Sequence, residues 1–466
     1  MNVLDGIAGV EGEGAVVPRR VAWKVYQLTP RAASVRYRCM LPALGLHELG
    51  VQSTVFEEGE ILVDIERFDA LVFVKSFTPS DLVLARRADR LGVPVVLDVC
   101  DNIFVPDYTS DAIINPIGRF SAIAHIAETI VVSTEELATR TRNVVGPGAQ
   151  ILTIPDPLET PQAVAQLLAP AAPYRCGRDV VAPRSLAILP RTLLRLAVPS
   201  LRRLAKKIDR WGYRGVVYTA LKNLAFVPTR ARRASRHLRA TFRTVQGSFA
   251  QTGRPPRTVQ RAACEQPAPR APDPDYPCAA RKRVIWFGNH GVDHSAFGIA
   301  ALESLLPVLA DVDRVVPLEL CVVSNNSAKF SALARRAPFP CTYARWTPEG
   351  IFTHLRSSDV CVIPNPRDEF SICKSANRAA LALSMGVPVV ATSIPSFLPF
   401  AGCTILDDWK EGLLCYLTDD VRRREHLAEA RTLLSREYEC SVVARRWRAL
   451  IDTLAQSRVN GTRQSR

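Results

Sequence analysis

Short, unbroken apolar runs alternate along this chain with segments whose apolar residues recur at helical spacing. The runs "AWKVYQL" (Ala22–Leu28), "ALVFVK" (Ala70–Lys75), "PVVLDV" (Pro94–Val99), "TIVVS" and "ILTIPD" predict strands. Between them, "ASVRYRCMLPALGLHELG", a segment opened by Thr78-Pro79 and running to Gly92, and "TEELATRTRNVV" predict helices. Threonine caps the second and proline suits its first turn. The alternation stops near Glu159 and resumes at Arg283 with "RVIWFGN", "AFGIAALESLLPVLA", "LELCVVS", "TPEGIFTHLRSS", "DVCVIP" and "KSANRAALALSMGVPVVAT". Strands buried on both faces, separated by helices, predict an α/β fold of two doubly wound parallel-sheet domains. "GVPVV" occurs at Gly92–Val96 and again at Gly386–Val390, each after a helix, as expected for two similar halves. The uncharged stretch Ala379–Leu406 has the length of a membrane span. Gly386, Pro388, Pro395 and Pro399 divide it into helix, turn, strand and loop.

The middle follows another pattern, and charge sharpens the contrast. In "VPSLRRLAKKIDRWGY", Leu201, Leu204, Ile208 and Trp211 fall on one helical face, and arginines and lysines fall largely elsewhere. Between Arg175 and Arg283 there are 25 Lys/Arg and 5 Asp/Glu, a net of +20; the whole chain carries +15, so the remainder is net −5. This predicts a tail over 1–20, an N-terminal domain over 21–160 and a basic helical or irregular insertion over 161–282. A C-terminal domain over 283–425 and terminal helices over 426–466 complete the division. The insertion is expected to meet an anionic membrane surface through 198–245. A nucleic-acid partner is not expected, because no aromatic ladder or base-reading module accompanies the charge. Twelve cysteines without a C-x-x-C read as small apolar residues in a reducing compartment, and no metal-ligand set is visible. "MNVLDGIAGVEGEG" lacks the apolar core of a signal peptide. The expected location is therefore cytoplasmic, peripheral at the inner face of the membrane.

Three short stretches carry candidate chemistry. Lys374, Ser375, Asn377 and Arg378 crowd a helix start just beyond "DVCVIP" and the loop "NPRDEFSIC". Ligands of open parallel sheets bind beyond the carboxyl ends of the strands. Cations placed against the positive end of a helix dipole call for an anion there, such as a diphosphate. A solvated turn, or Arg378 paired with Asp368 or Glu369, is the competing reading. Asp98 and Asp101 in "LDVCDN" end a strand facing the same edge. There they orient sugar hydroxyls or act as a base, unless one merely caps the turn that Asn102 shapes. Ser34, Arg36 and Arg38 in "ASVRYR" contact an acceptor or a phosphate, or form an exposed basic helix start. His125 reads as a helix-surface residue.

These stretches resemble GT-B glycosyltransferases, in particular the retaining nucleotide-sugar group 1 family. The resemblance rests on "WFGNHG", "WTPEGIFTHLRSSDVCVIPN", "KSANRAALALSMGVPVVAT" and "YECSVVARRWRALI" in the C-terminal half. In the N-terminal half it rests on "ASVRYR", "GVPVVLDVCDN", "IVVSTEELATRTR" and "ILTIPDPLE". It spans roughly 21–159 and 283–450 and leaves the basic middle outside. It implies two Rossmann-like domains, with the nucleotide-sugar held by the second, the acceptor by the first, and the final helices crossing back to the first. It also implies sugar transfer from a nucleoside-diphosphate sugar, as a donor substrate and without a cofactor or essential metal, to a glycan or lipid-linked acceptor. Asn289, His290, Glu369, Lys374, Ser375, Asn377 and Arg378 would then line the donor site. Two features depart from the family pattern of paired glutamates seven residues apart: Glu369 is followed eight positions on by Asn377, and Leu381 stands where the second glutamate is expected. The usual Arg/Lys pair after the first C-terminal strand is replaced by a loop with Asn289, His290 and His294. Either Lys374 and Arg378 take over the phosphate, or the chain is a non-catalytic glycan-binding or scaffold protein of GT-B fold.

Overall fold

The computed structural model describes residues 18–105, 116–169, 172–174, 179–181, 281–291 and 296–464. The basic amphipathic stretch 198–245, the N-terminal residues 1–17 and His294 lie outside the described residues.

Each half is built on a six-stranded sheet whose paired strands are all parallel. The first uses β1 (Arg20–Val25), β2 (Gln52–Phe56), β4 (Ala70–Val74), β5 (Val95–Val99), β6 (Thr129–Val132) and β7 (Ile151–Thr153), in the order β2-β1-β4-β5-β6-β7. A short β3 (Ile61–Leu62) pairs outside it, antiparallel with β8 (Val180–Val181). The second sheet uses β9 (Lys282–Phe287), β10 (Leu318–Ser324), β11 (Cys341–Arg345), β12 (Val360–Ile363), β13 (Val389–Ala391) and β14 (Ile405–Leu406). Its order is β11-β10-β9-β12-β13-β14. Counted along its own chain this is 3-2-1-4-5-6, the doubly wound order in which ligands bind where the winding reverses. The reversal lies between β9 and β12 in the second sheet and between β1 and β4 in the first.

Local rules set the helices. Thr78 accepts the Asp81 N–H at 3.2 Å and the Asp81 carboxylate accepts the Thr78 N–H at 2.7 Å, a capping box that starts Pro79–Arg90. The two "GVPVV" copies do the same work twice: Gly92 (φ +65°) and Gly386 (φ +78°) turn left-handed to end a helix before β5 and β13. The uncharged stretch 379–406 divides into the helix Asn377–Ser384, β13, a 3-10 turn at Pro395–Phe400 and β14. No helix among the described residues is long and apolar enough to cross a membrane.

The two halves are stitched at one end. Helix α1 (Leu41–Glu48) packs against the last helix, α2 (Cys440–Gln464), where Trp447 meets Trp23 of β1 edge-on at 5.0 Å. The preceding helix, Asp420–Glu437, puts Leu427, Ala430 and Leu434 into the core of the second sheet. The boundary expected at 425/426 thus falls inside that helix, and the crossing back starts at Cys440. At the other boundary, Pro161–Leu168 is a helix that buries one face, Ala163 and Leu167 in the first core and Val164 in the second, and exposes Leu168. Tyr174 is buried and Asp179 pairs with Arg20 at 2.8 Å. These residues, read from sequence as the start of the basic insertion, pack into the folded unit that carries both sheets, mostly against the first.

Candidate functional site

The reversal point of the second sheet is where cations collect. β9 ends at Phe287, and Arg378, one residue into the helix Asn377–Ser384, reaches back to it. Its Nη1 donates to the Phe287 carbonyl at 3.4 Å and its Nη2 to Asn365 Oδ1 at 2.7 Å, just past β12. A Cβ on Gly288 would lie 3.2 Å from Nη1, so glycine lets the guanidinium sit between the two strand ends. Neither expected acidic partner reaches it. Asp368 accepts the Ser371 N–H at 2.7 Å, and the exposed Glu369 carboxylate lies 3.8 Å from Arg140. Among the described residues Arg378 has no carboxylate partner, and burial pulls its pKa down. The Asn365 Nδ2 beside it is buried and has no hydrogen-bond partner among the described residues. Among the described residues no side chain caps the start of the Asn377–Ser384 helix, which leaves its first N–H groups available to an anion. A pocket of about 190 Å³ opens here, lined by Ala300, Pro364, Asn365, Thr392 and Trp409 among others.

Lys374 stands just ahead of the same helix with its Nζ 3.9 Å from the Phe370 ring centre. It donates to Asp101 Oδ1 of the first domain at 2.7 Å, and Lys75, directly after β4, pairs with the other oxygen of the same carboxylate. Burial works to raise the Asp101 pKa, but the two ammonium groups, Lys374 ahead of Lys75, outweigh it and hold the carboxyl well below the usual range. A carboxylate held that far down is a poor general base.

Asp98 plays a different part. Arg38 donates to it from Nη2 at 2.7 Å and Nε at 3.1 Å, and both side chains are 0% exposed. The Nη1 of Arg38 donates to the Ile154 carbonyl at 2.7 Å and to Asp156 at 3.1 Å. Asp156 in turn accepts Ser375 Oγ at 2.6 Å and Asn377 Nδ2 at 3.2 Å from the second domain. A chain of polar contacts, Asp98–Arg38–Asp156–Ser375/Asn377, therefore ties the two sheets together. Asp98, expected to orient sugar hydroxyls or act as a base, and Arg38, expected to contact an acceptor or a phosphate, present no surface to a substrate. A lone buried ion would cost several kcal/mol, so a buried arginine at a sheet edge draws in whatever carboxylates the fold brings near. Ser375 and Asn377, expected at the phosphate, hold Asp156 instead.

The remaining expected residues scatter. Arg36 is buried against Glu159 (2.5 Å) and stacks on Trp346 of the second domain, 5.0 Å from its ring centre. Ser34 is half-buried in the short helix Ala33–Val35. Asn289 accepts the Gly291 N–H at 3.1 Å and shapes its own loop, which also holds His290. His125, expected on a helix surface, is exposed in the turn directly after the helix Pro116–Ala124. Asn102 does shape a contact rather than only a turn: its Nδ2 donates to the Glu369 carbonyl at 2.8 Å. Beside it, Cys373 is buried in the core of the first domain and its carbonyl accepts Thr134 Oγ1 at 3.2 Å. The loop 368–374 is thus plugged into the N-terminal half. A cavity of about 340 Å³ follows the same seam, lined by Thr134, Asp156, Ser375, Asn377 and Tyr438 among others. Sequence reading missed Lys75, Asp156 and Asn365. Each directly follows a strand or lies within three residues of its end, the one signal available for them.

Solved structures share this fold. HepE (Alr3699) of Anabaena, solved in complex with UDP-glucose, superposes with a TM-score of 0.52 at 10% identity, over 93% of this chain and 99% of that one. The sucrose-phosphate synthase of Thermosynechococcus elongatus gives 0.53 at 11% identity, over 94% and 100%. The chain has the GT-B fold. The match covers both sheets, which is why it decides the architecture; a single Rossmann-like domain would align with only half. No protein-family model matches the sequence, and no curated protein does. Within the GT-B fold, Arg378 and Lys374 lie beyond the strand ends of the second sheet, and Lys75 and the Asp101 carboxylate beyond those of the first.

Proposed function

We propose that this GT-B chain transfers a sugar from a nucleoside-diphosphate sugar to a glycan or lipid-linked acceptor. The second domain would hold the donor and the first the acceptor. The observation that carries the reading is Arg378: a part-buried guanidinium without a carboxylate, at the uncapped start of a helix and at the winding reversal of the sheet. A diphosphate leaving group would supply the missing charge, and Arg378, Lys374 and the helix N–H groups would stabilise it as it departs. That HepE was solved with UDP-glucose supports the choice of donor class. Nothing in the reaction as proposed calls for a metal, since side-chain cations replace it. The membrane surface reached through 198–245, and action at its inner face, belong to the same proposal.

A second reading is favoured by Leu381. It is 3% exposed, in the apolar core, where the family pattern expects a glutamate. A non-catalytic glycan-binding or scaffold protein would tolerate that exchange. A thermal-shift screen with UDP, GDP, ADP, CMP and TDP separates the two, because a ligand that binds only the folded chain raises its apparent stability. One diphosphate is expected to stabilise the protein, and Arg378→Ala to weaken its binding roughly tenfold or more while the parent nucleoside is little affected. No stabilisation by any of the five, or equal binding by Arg378→Ala with the fold intact, would remove the donor reading.

A further inference from the structure

We infer that the seam cavity beside β6, β7 and the turn Pro395–Phe400 is a carbohydrate site, which holds one neutral pyranose ring of a glycan through the hydroxyls of Ser133 and Ser396 and the ring of Tyr438. The inference rests on the readings above only in expecting a glycan, and it gives that glycan a place of its own.

The cavity lies away from the winding reversals, where this class of fold binds its usual ligands. Ser133 directly follows β6 and Thr153 ends β7, two and three strands past β4 in the first sheet. Ser396 comes from the second domain, in the turn Pro395–Phe400 beyond β13. Tyr438 lines the cavity directly after the helix Asp420–Glu437, its ring centre 5.3 Å from that of Phe400. The start of the helix Asn377–Ser384 divides this place from the donor site. Arg378 reaches to β9, whereas Asn377 holds Asp156 in the cavity wall. The volume is about 340 Å³, near the lower end of the roughly 300–1,000 Å³ of ligand pockets. That is room for one sugar ring and too little for a whole nucleotide-sugar.

Unmet hydrogen bonds decide the ligand. Ser133 is 4% exposed, and its Oγ is buried with no hydrogen-bond partner among the described residues. The Oγ of the half-buried Ser396 is in the same state. A buried hydroxyl left unpaired costs stability, so two of them on one cavity call for a partner from outside. Serine both donates and accepts, as a sugar hydroxyl does. Burial is the main cause that lifts the Tyr438 pKa to about 12, so the phenol keeps its proton at neutral pH, and its ring offers a flat apolar surface to the CH face of a pyranose. The charges of the wall are already paired: Asp156 with Arg38, Glu136 with Arg140, and Glu437 with Arg436 and Arg446. Glu135, exposed in the first turn of its helix, has no ion pair among the described residues and adds a negative bias. Neutral hydroxyls with a slight excess of acid suit a polyol and disfavour a phosphate.

Saturation-transfer NMR titration of the full chain tests this. The probes are the methyl glycosides of glucose, galactose, mannose and N-acetylglucosamine, with glycerol as a polyol that has no ring, and UDP in a separate titration. At least one glycoside is expected to bind, and more tightly than glycerol. Ser133→Ala and Ser396→Ala should each weaken that glycoside about threefold or more, the usual worth of a hydrogen bond. The melting temperature of the free protein should hold or rise in both, because an unpaired buried hydroxyl has been removed. Binding of UDP should not change. The site is overturned if no glycoside binds, if glycerol binds as well as the glycosides, or if both variants bind the glycoside like the parent. A melting temperature that falls in both variants overturns it too, since the hydroxyls would then be bonded in the free protein. Should one variant fail to fold, the other decides. The donor reading is scored apart: UDP binding without glycoside binding keeps it and sinks the carbohydrate site, and glycoside binding through Ser133 without UDP binding does the reverse.

Discussion

Arg38 and Asp101 show how one sheet edge assigns opposite tasks to charged side chains. Arg38 is fully buried and shared between Asp98 and Asp156, so its replacement strands two carboxylates in the interior. Arg38→Met is expected to cost about 3–5 kcal/mol, read as a fall in the urea midpoint, because an uncompensated buried charge is far more costly than the pair was stabilising. Asp101 is reachable from solvent and titrates. Its folded pKa is depressed, so the stability it contributes is fully present above its unfolded pKa of about 4 and is lost as pH falls below that value. Melting temperatures of the parent should therefore decline more steeply below about pH 4 than those of Asp101→Asn, which cannot take up that proton. Parallel slopes would show that the two lysines do not hold the carboxylate in solution.

At the scale of elements, the contact between α1 and α2 sets how the first domain is closed. Gly45 allows it: a Cβ there would lie 2.8 Å from the Ala444 Cβ and 3.0 Å from the Cys440 sulfur. The backbone at Gly45 is ordinary helix, so the requirement is space, not conformation. Gly45→Val should push the last helix outward, loosen the Trp23–Trp447 contact and destabilise the protein by about 1–3 kcal/mol, checked by chemical denaturation. Unchanged stability would mean that α2 shifts without loss. The loop 368–374 works in the opposite sense. It leaves the second sheet and buries Cys373 in the first domain, carrying Lys374 to Asp101.

For the whole molecule, the described halves share a seam made of ion pairs and hydrogen bonds as much as apolar packing, with Asp156 and Asp101 each bridging two domains. The excess positive charge lies elsewhere, in the basic middle of the chain. If 198–245 anchors the protein to membranes, anionic liposomes should float it and neutral ones less so. Each basic residue near such a surface contributes on the order of 1 kcal/mol. Leu204→Glu with Ile208→Glu should abolish flotation at low salt; undiminished flotation would leave diffuse charge as the only attraction.

The sequence by itself determined the two parallel sheets, because strands buried on both faces must be written as unbroken apolar runs. It determined the left-handed turns at Gly92 and Gly386, and the capped start at Thr78, because these depend on neighbours in the chain. It also marked Lys374 and Arg378 as cations at a helix start beyond a strand end. What it left open was which charges meet. Arg38 and Asp98 are 60 residues apart, and Asp101 and Lys374 are 273 apart. Local pattern reports that a residue is polar and near a strand end, and says nothing of what faces it from another strand. Only the tertiary structure set Asp98 in the interior and left Asp101, three residues on, partly exposed at the seam. It likewise turned Ser375 and Asn377 toward Asp156, and left Arg378 without an acid among the described residues. Burial and partnership are properties of pairs brought together by the winding of two sheets, and that winding decides which charges are structural and which remain available to a ligand.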